Sequence, residues 1–439
     1  MEKNKKIKLH PYVFIIMTFF MVILTGTLAL MLPFAVKDGN SLSFIDALFT
    51  ATSSVCVTGL SVIDCSARLS IFGCIIMCIL MEIGGLSFIT IAICFFSLIG
   101  GKIGIANRYL LKEALNQNSL VKIVYLVKRI ISIAIVIQLI GVILNYLALM
   151  SYYNYDFWKI LGYSVFHSIA AFNNAGFDVF GSYSMIPFKD NILLNISTMF
   201  LIVFGGIGFI VIDEIIVKRS IKKISIHAKI VLTVTLVLII GGMLFFKLSM
   251  YNEITWLQAL FTSVTCRTAG FTTIDIANIS SAAYITAMVL MFIGASPCST
   301  GGGIKTTTIV VMFLTFIYYA QGRKPKIFHR RISDGSIFKA FVLFGLAVIT
   351  VLVGTILVCY IQPQLPVEKV LFEVVSGFST TGLSMGITMD FYWGSKLVIS
   401  LLMFFGRIGP LTIIGVVNRN WLKQTNENIQ YVEERIIVG

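Results

Sequence analysis

The chain has 439 residues, of which 57% are hydrophobic and only 12% are charged, and its 34 Lys and Arg against 20 Asp and Glu give a formal net charge of +14. Soluble domains average about 25% charged and about 45–50% apolar residues, so this composition excludes a soluble, disordered, collagen-like or disulfide-scaffold protein. A mean hydropathy of +0.93 over this length indicates that most of the chain contacts lipid or other apolar helices. The composition therefore predicts a polytopic membrane protein in direct contact with membrane lipid.

Eight apolar runs are long enough to cross about 30 Å of hydrocarbon as α-helices. In chain order they are Pro11–Val36, Leu69–Leu98, Ile123–Met150, Asn191–Val217, Ile230–Phe246, Ala282–Ala320, Ile337–Ile361 and Lys396–Val417. Within each successive pair of runs lies a shorter, semi-apolar stretch of roughly ten to fourteen residues, the length of a re-entrant segment rather than a span. The predicted fold class is an all-α polytopic membrane protein with eight transmembrane helices.

Basic residues predict the orientation of these spans. Segments 1–10, 101–130, 217–230, 321–340 and 416–439 carry 24 of the 34 Lys and Arg. Loops rich in Lys and Arg stay on the cytoplasmic side, so we expect a multi-pass protein of the cell membrane with both termini in the cytoplasm. The basic stretches lie at helix ends, which favours this interpretation over nucleic-acid binding.

One pattern recurs four times, always in a predicted outer loop between two spans. It begins with Phe and ends with Gly followed by Leu or Phe, at Phe-to-Gly spacings of 10, 10, 9 and 10 residues. The four copies are Phe49–Gly59, Phe166–Gly176, Phe261–Gly270 and Phe372–Gly382. A second glycine landmark follows 24 to 29 residues later, at Gly84-Gly85, Gly205-Gly206, Gly294 and Gly406.

These landmarks define a unit of span, short pore helix, glycine loop and span. Each unit has two crossings, so all four units point the same way, unlike the opposed halves of inverted-repeat transporters. The predicted arrangement is four same-orientation repeats (M1, pore helix, M2) around a pseudo-fourfold pore. The boundaries are 1–100 for repeat 1, 101–220 for repeat 2, 221–325 for repeat 3 with a loop at 296–308, 326–420 for repeat 4, and 421–439 for a cytoplasmic tail.

Each short segment is predicted to be a helix that enters from outside and stops within the membrane. Ser43 or Ser41, Asp156, Asn252 and Pro366 stand where a helix start needs a capping or first-turn residue. The C-terminal end of each helix carries the negative half of the helix dipole, and the following Gly can turn carbonyl oxygens toward an axis. Four such loops could replace the hydration shell of a monovalent cation, although any single loop could equally be an ordinary glycine turn.

The residues predicted to form this cation filter, mainly through backbone carbonyls, are the last four positions of each copy. They are Cys56, Val57, Thr58 and Gly59; Asn173, Asn174, Ala175 and Gly176; Arg267, Thr268, Ala269 and Gly270; and Ser379, Thr380, Thr381 and Gly382. Arg267 is expected to brace its pore helix rather than to face the ion, because a cation there would repel the substrate.

The sixth apolar run is too long for one crossing and is interrupted at residues 296–308. A phosphate-binding Walker A loop is excluded, because Ile304 stands where that motif needs Gly and because a helix rather than a strand precedes it. We expect a flexible plug beneath the filter, with a kinked helix as the alternative. The predicted gate residues are Ser299, Thr300, Gly301, Gly302, Gly303, Lys305 and Arg407, the last being a charge in the middle of a span that must meet an acceptor.

These segments resemble the Ktr/Trk/HKT superfamily of potassium transporters over essentially the whole chain, and most closely the Ktr-type membrane subunit. The resemblance rests on Phe44–Leu60, Val264–Phe271, Gly294–Thr308 and Phe378–Leu383, and on the predicted number of spans. It implies a homodimer that transports K⁺, with Na⁺ dependence common, gated by a cytoplasmic ring of nucleotide-binding regulatory subunits. This chain itself would bind no nucleotide. Two residues depart from the pattern: Glu82 replaces an expected neutral amide, and Cys298 replaces an expected Gly.

Competing functions are separable in part. An enzyme is excluded by the dispersed histidines and by the lack of HExxH, GxSxG or P-type ATPase motifs. A sodium- or proton-coupled secondary cation transporter, or a less selective K⁺/Na⁺ channel, remains the alternative to a gated potassium uptake system. Glu82 could snorkel, pair inside the bundle or act on the ion, and the sequence does not decide among these.

Overall fold

The computed structural model describes residues 11–87, 90–91, 123–181, 184–251, 253–328 and 330–409. The C-terminal ends of two predicted spans, 92–98 and 410–417, and the predicted tail 421–439 lie outside the described residues. The regular elements of the described part of the chain are helices and one antiparallel hairpin, formed by β1 (Lys326–Ile327) and β2 (Arg330–Arg331).

The helices follow the order of the predicted repeats. The first two repeats contain α1 (Pro11–Leu30), α2 (Phe44–Cys56), α3 (Cys65–Arg68), α4 (Ile71–Leu86), α5 (Ile123–Leu149), α6 (Phe157–Asn173), α7 (Ile192–Ile207) and α8 (Phe209–Lys218). The last two contain α9 (Ile226–Ser249), α10 (Trp256–Thr265), α11 (Ser281–Ile293), α12 (Thr306–Ala320), α13 (Asp334–Ile361), α14 (Val367–Ser379) and α15 (Trp393–Ile408). Single 3-10 turns lie in the connections at Pro33–Ala35, Ile186–Phe188, Ile221–Lys223, Ile276–Asn278 and Thr388–Asp390.

Four of the described helices are long and apolar enough to cross a membrane, namely those within α1, α5, α9 and α13. The pair α7 and α8 would count as a fifth, bent by 95°. The sixth predicted span is divided into α11 and α12, because the chain leaves helical geometry between Gly294 and Lys305. The count of eight therefore stays a prediction, since α4, α11 and α12 are apolar but shorter.

The bend between α7 and α8 was not foreseen and has a local cause. Gly208 has a φ of +101°, and a Cβ there would lie 2.5 Å from the carbonyl oxygen of Pro297. The backbone N–H of Phe209 donates to the carbonyl of Cys298 at 2.9 Å. The fourth predicted span therefore bends where it meets the loop between α11 and α12.

The pore helices begin at capping residues, three of which were predicted, and Pro366 holds the N-cap position of α14 without a side-chain hydrogen bond. The Ser43 hydroxyl accepts from the Asp46 N–H at 3.1 Å, and the Asp156 carboxylate accepts from the Lys159 N–H at 3.2 Å. The prediction for the third pore helix is wrong, since α10 starts after Thr255 rather than at Asn252, which lies outside the described residues. Thr255 and Gln258 form a reciprocal capping box, a signature that the sequence already displayed.

The second glycine landmark is explained by contact between backbones. In three repeats a Cβ on this glycine would overlap the carbonyl of the pore-helix residue four positions before the loop glycine. The overlapping pairs are Gly84 with Val55, Gly205 with Phe172, and Gly406 with Phe378. The helices α4, α7 and α15 therefore lie directly against the C-terminal ends of their pore helices, at a distance that only Gly permits.

Replacing one landmark glycine should destabilise the fold. Gly205→Ala places a methyl group onto the Phe172 carbonyl, and overpacking of this kind costs about 1–3 kcal/mol, so we expect a lower thermal midpoint in detergent. Gly241→Ala is the matched control, because this glycine of α9 has nothing within 4 Å of an added Cβ. Equal midpoints for the two variants would contradict the packing argument.

Candidate functional site

Four loop glycines from four different parts of the chain meet in one closed ring, called here the glycine ring: Gly59, Gly176, Gly270 and Gly382. Their φ angles are +94°, +67°, +81° and +89°, a region that side chains other than hydrogen disfavour. The backbone conformation at all four positions thus requires glycine.

Each ring glycine abuts the residue that precedes the next ring glycine. A Cβ on Gly59 would lie 2.6 Å from the carbonyl oxygen of Ala175, and one on Gly176 would lie 2.8 Å from that of Ala269. The same relation joins Gly270 to the carbonyl of Thr381 and Gly382 to that of Thr58. The four segments therefore follow one another around the ring in chain order and close on the first.

The segments leading into the ring are buried, although three of the ring glycines remain partly exposed. The buried positions before the glycines are Cys56, Val57, Thr58, Asn173, Asn174, Ala175, Arg267, Thr268, Ala269, Ser379, Thr380 and Thr381. The structure thus brings together all four segments that the repeat predicted.

A left-handed residue precedes three of the ring glycines by two positions, which the sequence did not reveal. Val57, Asn174 and Thr380 have φ values of +57°, +58° and +52° and end their pore helices. Only Asn174 is a residue type that commonly adopts this conformation. In the third repeat Cys266 remains in the right-handed region, and the spacing there is one residue shorter.

Hydroxyl groups of the pore helices hold the ring from behind. The Ser53 hydroxyl accepts from the Gly59 N–H at 3.1 Å, and the Ser376 hydroxyl accepts from the Gly382 N–H at 3.0 Å. Both serines stand six residues before their glycine, which was a signal available in the sequence. These bonds satisfy the glycine N–H groups on the helix side and so leave the carbonyls of the segment available.

Arg267 is 6% exposed, and its Nε and Nη2 atoms have no hydrogen-bond acceptor among the described residues. Its backbone N–H donates to Val264 at 3.4 Å, so the residue continues the last turn of α10. The predicted bracing role for its side chain stays a prediction.

The loop between α11 and α12, residues 294–305, lies against these segments. The Gly302 N–H donates to the Thr380 hydroxyl at 2.9 Å, and the Thr300 hydroxyl donates to the Phe172 carbonyl at 3.3 Å. A Cβ on Gly301 would lie 2.6 Å from the Thr268 hydroxyl. The three consecutive glycines thus allow the loop backbone to touch strands of the second, third and fourth repeats.

Two cations hold this loop through its carbonyls. Lys305 donates from Nζ to Gly301 at 2.6 Å and to Gly302 at 3.3 Å. Arg407 donates from Nη1 to the Thr300 carbonyl and from Nη2 to the carbonyls of Gly84 and, at 3.1 Å, Gly85. Arg407 therefore meets acceptors, as its position in an apolar helix required, and it connects the loop to α4.

Ser299 and Cys298 shape the turn of the loop between α11 and α12. Ser299 donates to the Ser296 carbonyl at 2.7 Å, which closes a turn within the loop. Cys298 has a φ of +57°, so the position where the resemblance expects Gly does adopt a conformation that favours it.

A carboxylate lies beyond the ring, two residues after Gly176. The pKa of Asp178 is raised to about 6, chiefly by burial and in smaller part by the nearby Asp64, against the opposing effect of hydrogen bonds from the Ser184 side chain and the Phe180 N–H. This loop therefore carries a group whose charge changes at mildly acidic pH.

Comparison with known proteins assigns the chain to a family. The family model described as TrkH, cation transport protein, matches residues 3–426. The potassium/sodium uptake protein NtpJ of Enterococcus hirae is 37% identical, with 100% of this chain and 99% of that protein covered. The Ktr system potassium uptake protein B of Bacillus subtilis is 36% identical, with 100% of both covered. The crystal structure of the potassium transporter TrkH from Vibrio parahaemolyticus is similar in fold, with a TM-score of 0.76 over 96% of this chain and 88% of that one at 18% identity.

The chain belongs to the TrkH family of cation transport proteins. The resemblance that the loop motifs predicted is thereby confirmed. It is a multi-pass membrane transporter and not an enzyme, in agreement with its composition and with the long apolar helices of the fold.

The bond between the loop and the ring strands can be tested through Cys298. Thr380→Val leaves the Gly302 N–H buried without an acceptor, which costs about 1–3 kcal/mol, so we expect the loop to detach more often and Cys298 to react faster with a maleimide. Thr380→Ser keeps the acceptor and should react like the wild type. Mass spectrometry of the modified peptide measures the rate, and identical rates in both variants would contradict the predicted anchoring.

Proposed function

We propose that the chain takes up potassium across the cell membrane through the glycine ring, whose neighbouring carbonyls act as a selectivity filter. The observation that carries this proposal is the closed ring of four positive-φ glycines, each set against a carbonyl of the next segment. The names of the relatives from Enterococcus hirae and Bacillus subtilis, both uptake proteins for potassium, support the same ion.

The physical basis lies in how carbonyls and helix ends treat a cation. Four pore helices direct the negative ends of their dipoles toward one region, and carbonyl oxygens there can replace the water shell of K⁺. Each segment has a single glycine, whereas the TVGYG filter of tetrameric potassium channels has two. Accumulation would be driven by the membrane potential, which is worth about 2.3 kcal/mol per charge for each 100 mV.

The membrane arrangement belongs to the same proposal. Eight spans in four same-orientation repeats would place all four pore helices on one side, with both termini in the cytoplasm. The equivalent packing of Gly84, Gly205 and Gly406 against their pore helices supports equivalent repeats. The short helices α4, α11 and α12 would then be parts of M2 spans.

The loop between α11 and α12 would be the gate. It lies against the strands of the ring and is fixed by Lys305 and Arg407, so its displacement would open the inner end of the filter. This state, with the Thr380 hydroxyl bonded to the loop, would be the closed one.

Control by a partner completes the proposal. The chain would act as a homodimer whose gate responds to a cytoplasmic ring of nucleotide-binding regulatory subunits. The name Ktr system, carried by relatives from Bacillus subtilis and Vibrio alginolyticus, supports a multi-component transporter. The name of the Enterococcus relative also includes sodium, so sodium-coupled or less selective uptake is the second candidate.

Uptake of K⁺ by a host that lacks its own potassium systems tests the function, and variants of the ring test the filter. Gly59→Ser forces a side chain onto the Ala175 carbonyl, so we expect the K⁺/Na⁺ uptake ratio to fall severalfold. Gly39→Ser is the matched control, since Gly39 also has a positive φ of +68° but nothing within 4 Å. If serine is placed at each of the four ring glycines in turn (Gly59, Gly176, Gly270 and Gly382) and the K⁺/Na⁺ uptake ratio never changes, the filter assignment is wrong.

Flux without a regulatory subunit tests the gate. Arg407→Ala removes the bonds to Thr300, Gly84 and Gly85, so basal cation flux into liposomes should rise severalfold. Arg407→Gln keeps donors but loses the charge. Low flux in the Gln variant would indicate hydrogen-bonded closure, flux equal to the Ala variant would indicate a charge barrier, and no increase in either would exclude Arg407 from the gate.

A further inference from the structure

Glu82 breaks the fourfold pattern of the chain at a point where the other repeats are apolar. Two residues before the landmark glycine, those repeats carry Val203, Phe292 and Phe404. Charged side chains inside apolar helices are costly and are mostly retained where they act on an ion or on another charge. Packing alone therefore does not explain a carboxylate in this one repeat.

The Glu82 carboxylate lies against the end of the second pore helix. Its Oε2 accepts a hydrogen bond from Asn173 Nδ2 at 2.5 Å, and Gln138 Nε2 of α5 lies 3.1 Å from Oε1 and 3.0 Å from Oε2. Asn173 is the last residue of α6, and the left-handed Asn174 after it begins the turn to Gly176. The carboxylate is thus one side chain away from the second strand of the glycine ring.

The hydrogen bonds to Glu82 stabilise its ionised form. Asn173 Nδ2 also donates to the Ile169 carbonyl at 3.0 Å, which fixes the amide with its nitrogen toward Glu82. An ionised carboxylate can only accept, and every hydrogen bond to Glu82 from the described residues comes from an amide nitrogen.

No fixed cation neutralises this charge at contact distance within the described part of the chain. The ion pairs there join Arg129 to Asp213, Lys218 to Glu214, Arg331 to Asp334 and Lys396 to Asp46. Arg407 reaches the same end of α4 but bonds to its backbone carbonyls at Gly84 and Gly85. In a medium of low dielectric such a charge acts over distance, and a cation at the second ring strand is the mobile charge that it can stabilise.

We propose that Glu82 sets the affinity for the transported monovalent cation by placing an unpaired negative charge behind the second strand of the glycine ring. The proposal rests on the proposed function of that ring. Because a single charge at this distance acts on K⁺ and Na⁺ alike, it raises the affinity for both ions and leaves their ratio to the ring itself.

Transport kinetics of Glu82→Gln test the proposal in the full-length protein. A unit charge about 10 Å away at an effective dielectric of about 20 changes binding by on the order of tenfold, so the apparent KM for K⁺ should rise by about that factor. Vmax should change by less than about twofold, because the interaction is present in the bound state as well as during passage. The K⁺/Na⁺ ratio should remain that of the wild type, unlike the outcome for ring glycines.

Two further variants separate charge from shape. Gln138→Leu removes an amide donor and Glu82→Asp shortens the side chain, yet both keep the negative charge, so their KM should stay near the wild-type value. Val203→Ala is the control for disturbing the equivalent position of repeat 2. If Glu82→Gln is not recovered as folded protein, the shorter pair Glu82→Asp and Glu82→Asn decides: a KM about tenfold higher in the Asn than in the Asp variant supports the charge, and equal KM values overturn it.

A second readout does not depend on flux. Bound K⁺ stabilises the folded protein by RT ln(1 + [K⁺]/Kd), so the KCl concentration that produces a given rise in thermal midpoint should increase about tenfold in Glu82→Gln. Unchanged KM and unchanged KCl dependence in this variant would overturn the inference while leaving wild-type uptake intact. Failure of the wild type to take up K⁺ at all would instead contradict the proposed function.

Discussion

The close approach of glycine backbones to pore-helix carbonyls is the constraint on which the rest of the structure depends. At Gly84, Gly205 and Gly406 the inner helix touches the carbonyl four residues before a ring glycine. Any side chain would push the helix outward, because packed interiors have little free volume. The positions of Gly59, Gly176 and Gly382 are therefore each fixed from behind by a second glycine more than twenty residues later in the chain.

The third repeat replaces this contact and thereby gains a loop. Gly294 has a φ of +62° and faces the carbonyls of Gly302 and Ile304, which belong to its own loop. The helix ends here, and the freed backbone finds partners in the second repeat, since the Ser296 N–H donates to Gly206 and the Thr300 N–H donates to Gly205. Irregular backbone inside a membrane is tolerated only with such protein or water partners, so the break depends on the packing of the other three repeats.

A structural feature could be predicted from the sequence when it depends on residues close together in the chain, and not when it depends on contacts between distant segments. The meeting of the four glycine segments and the break between α11 and α12 were predictable because glycine spacing records local backbone needs directly. The bend at Gly208 was not, because it depends on contact with Pro297 and Cys298 far along the chain. The left-handed residues Val57 and Thr380 were not predictable either, because Val and Thr rarely adopt a positive φ. The start of α10 at Thr255 was a missed signal rather than a hidden one, because its capping box lies within four residues.

The glycine spacing recurs four times along the chain, but the charges do not. Glu82, Arg267, Lys305 and Arg407 each occur in one repeat, where equivalent positions of the other repeats are neutral. Backbone packing needs the same small residues in every repeat, so symmetry persists wherever geometry is the constraint. An ion path needs a low barrier in one state and a high one in another, and four identical charges around an axis would repel one another strongly at low dielectric. Single charges placed asymmetrically can therefore regulate the ion and the loop without disturbing the ring that the glycines build.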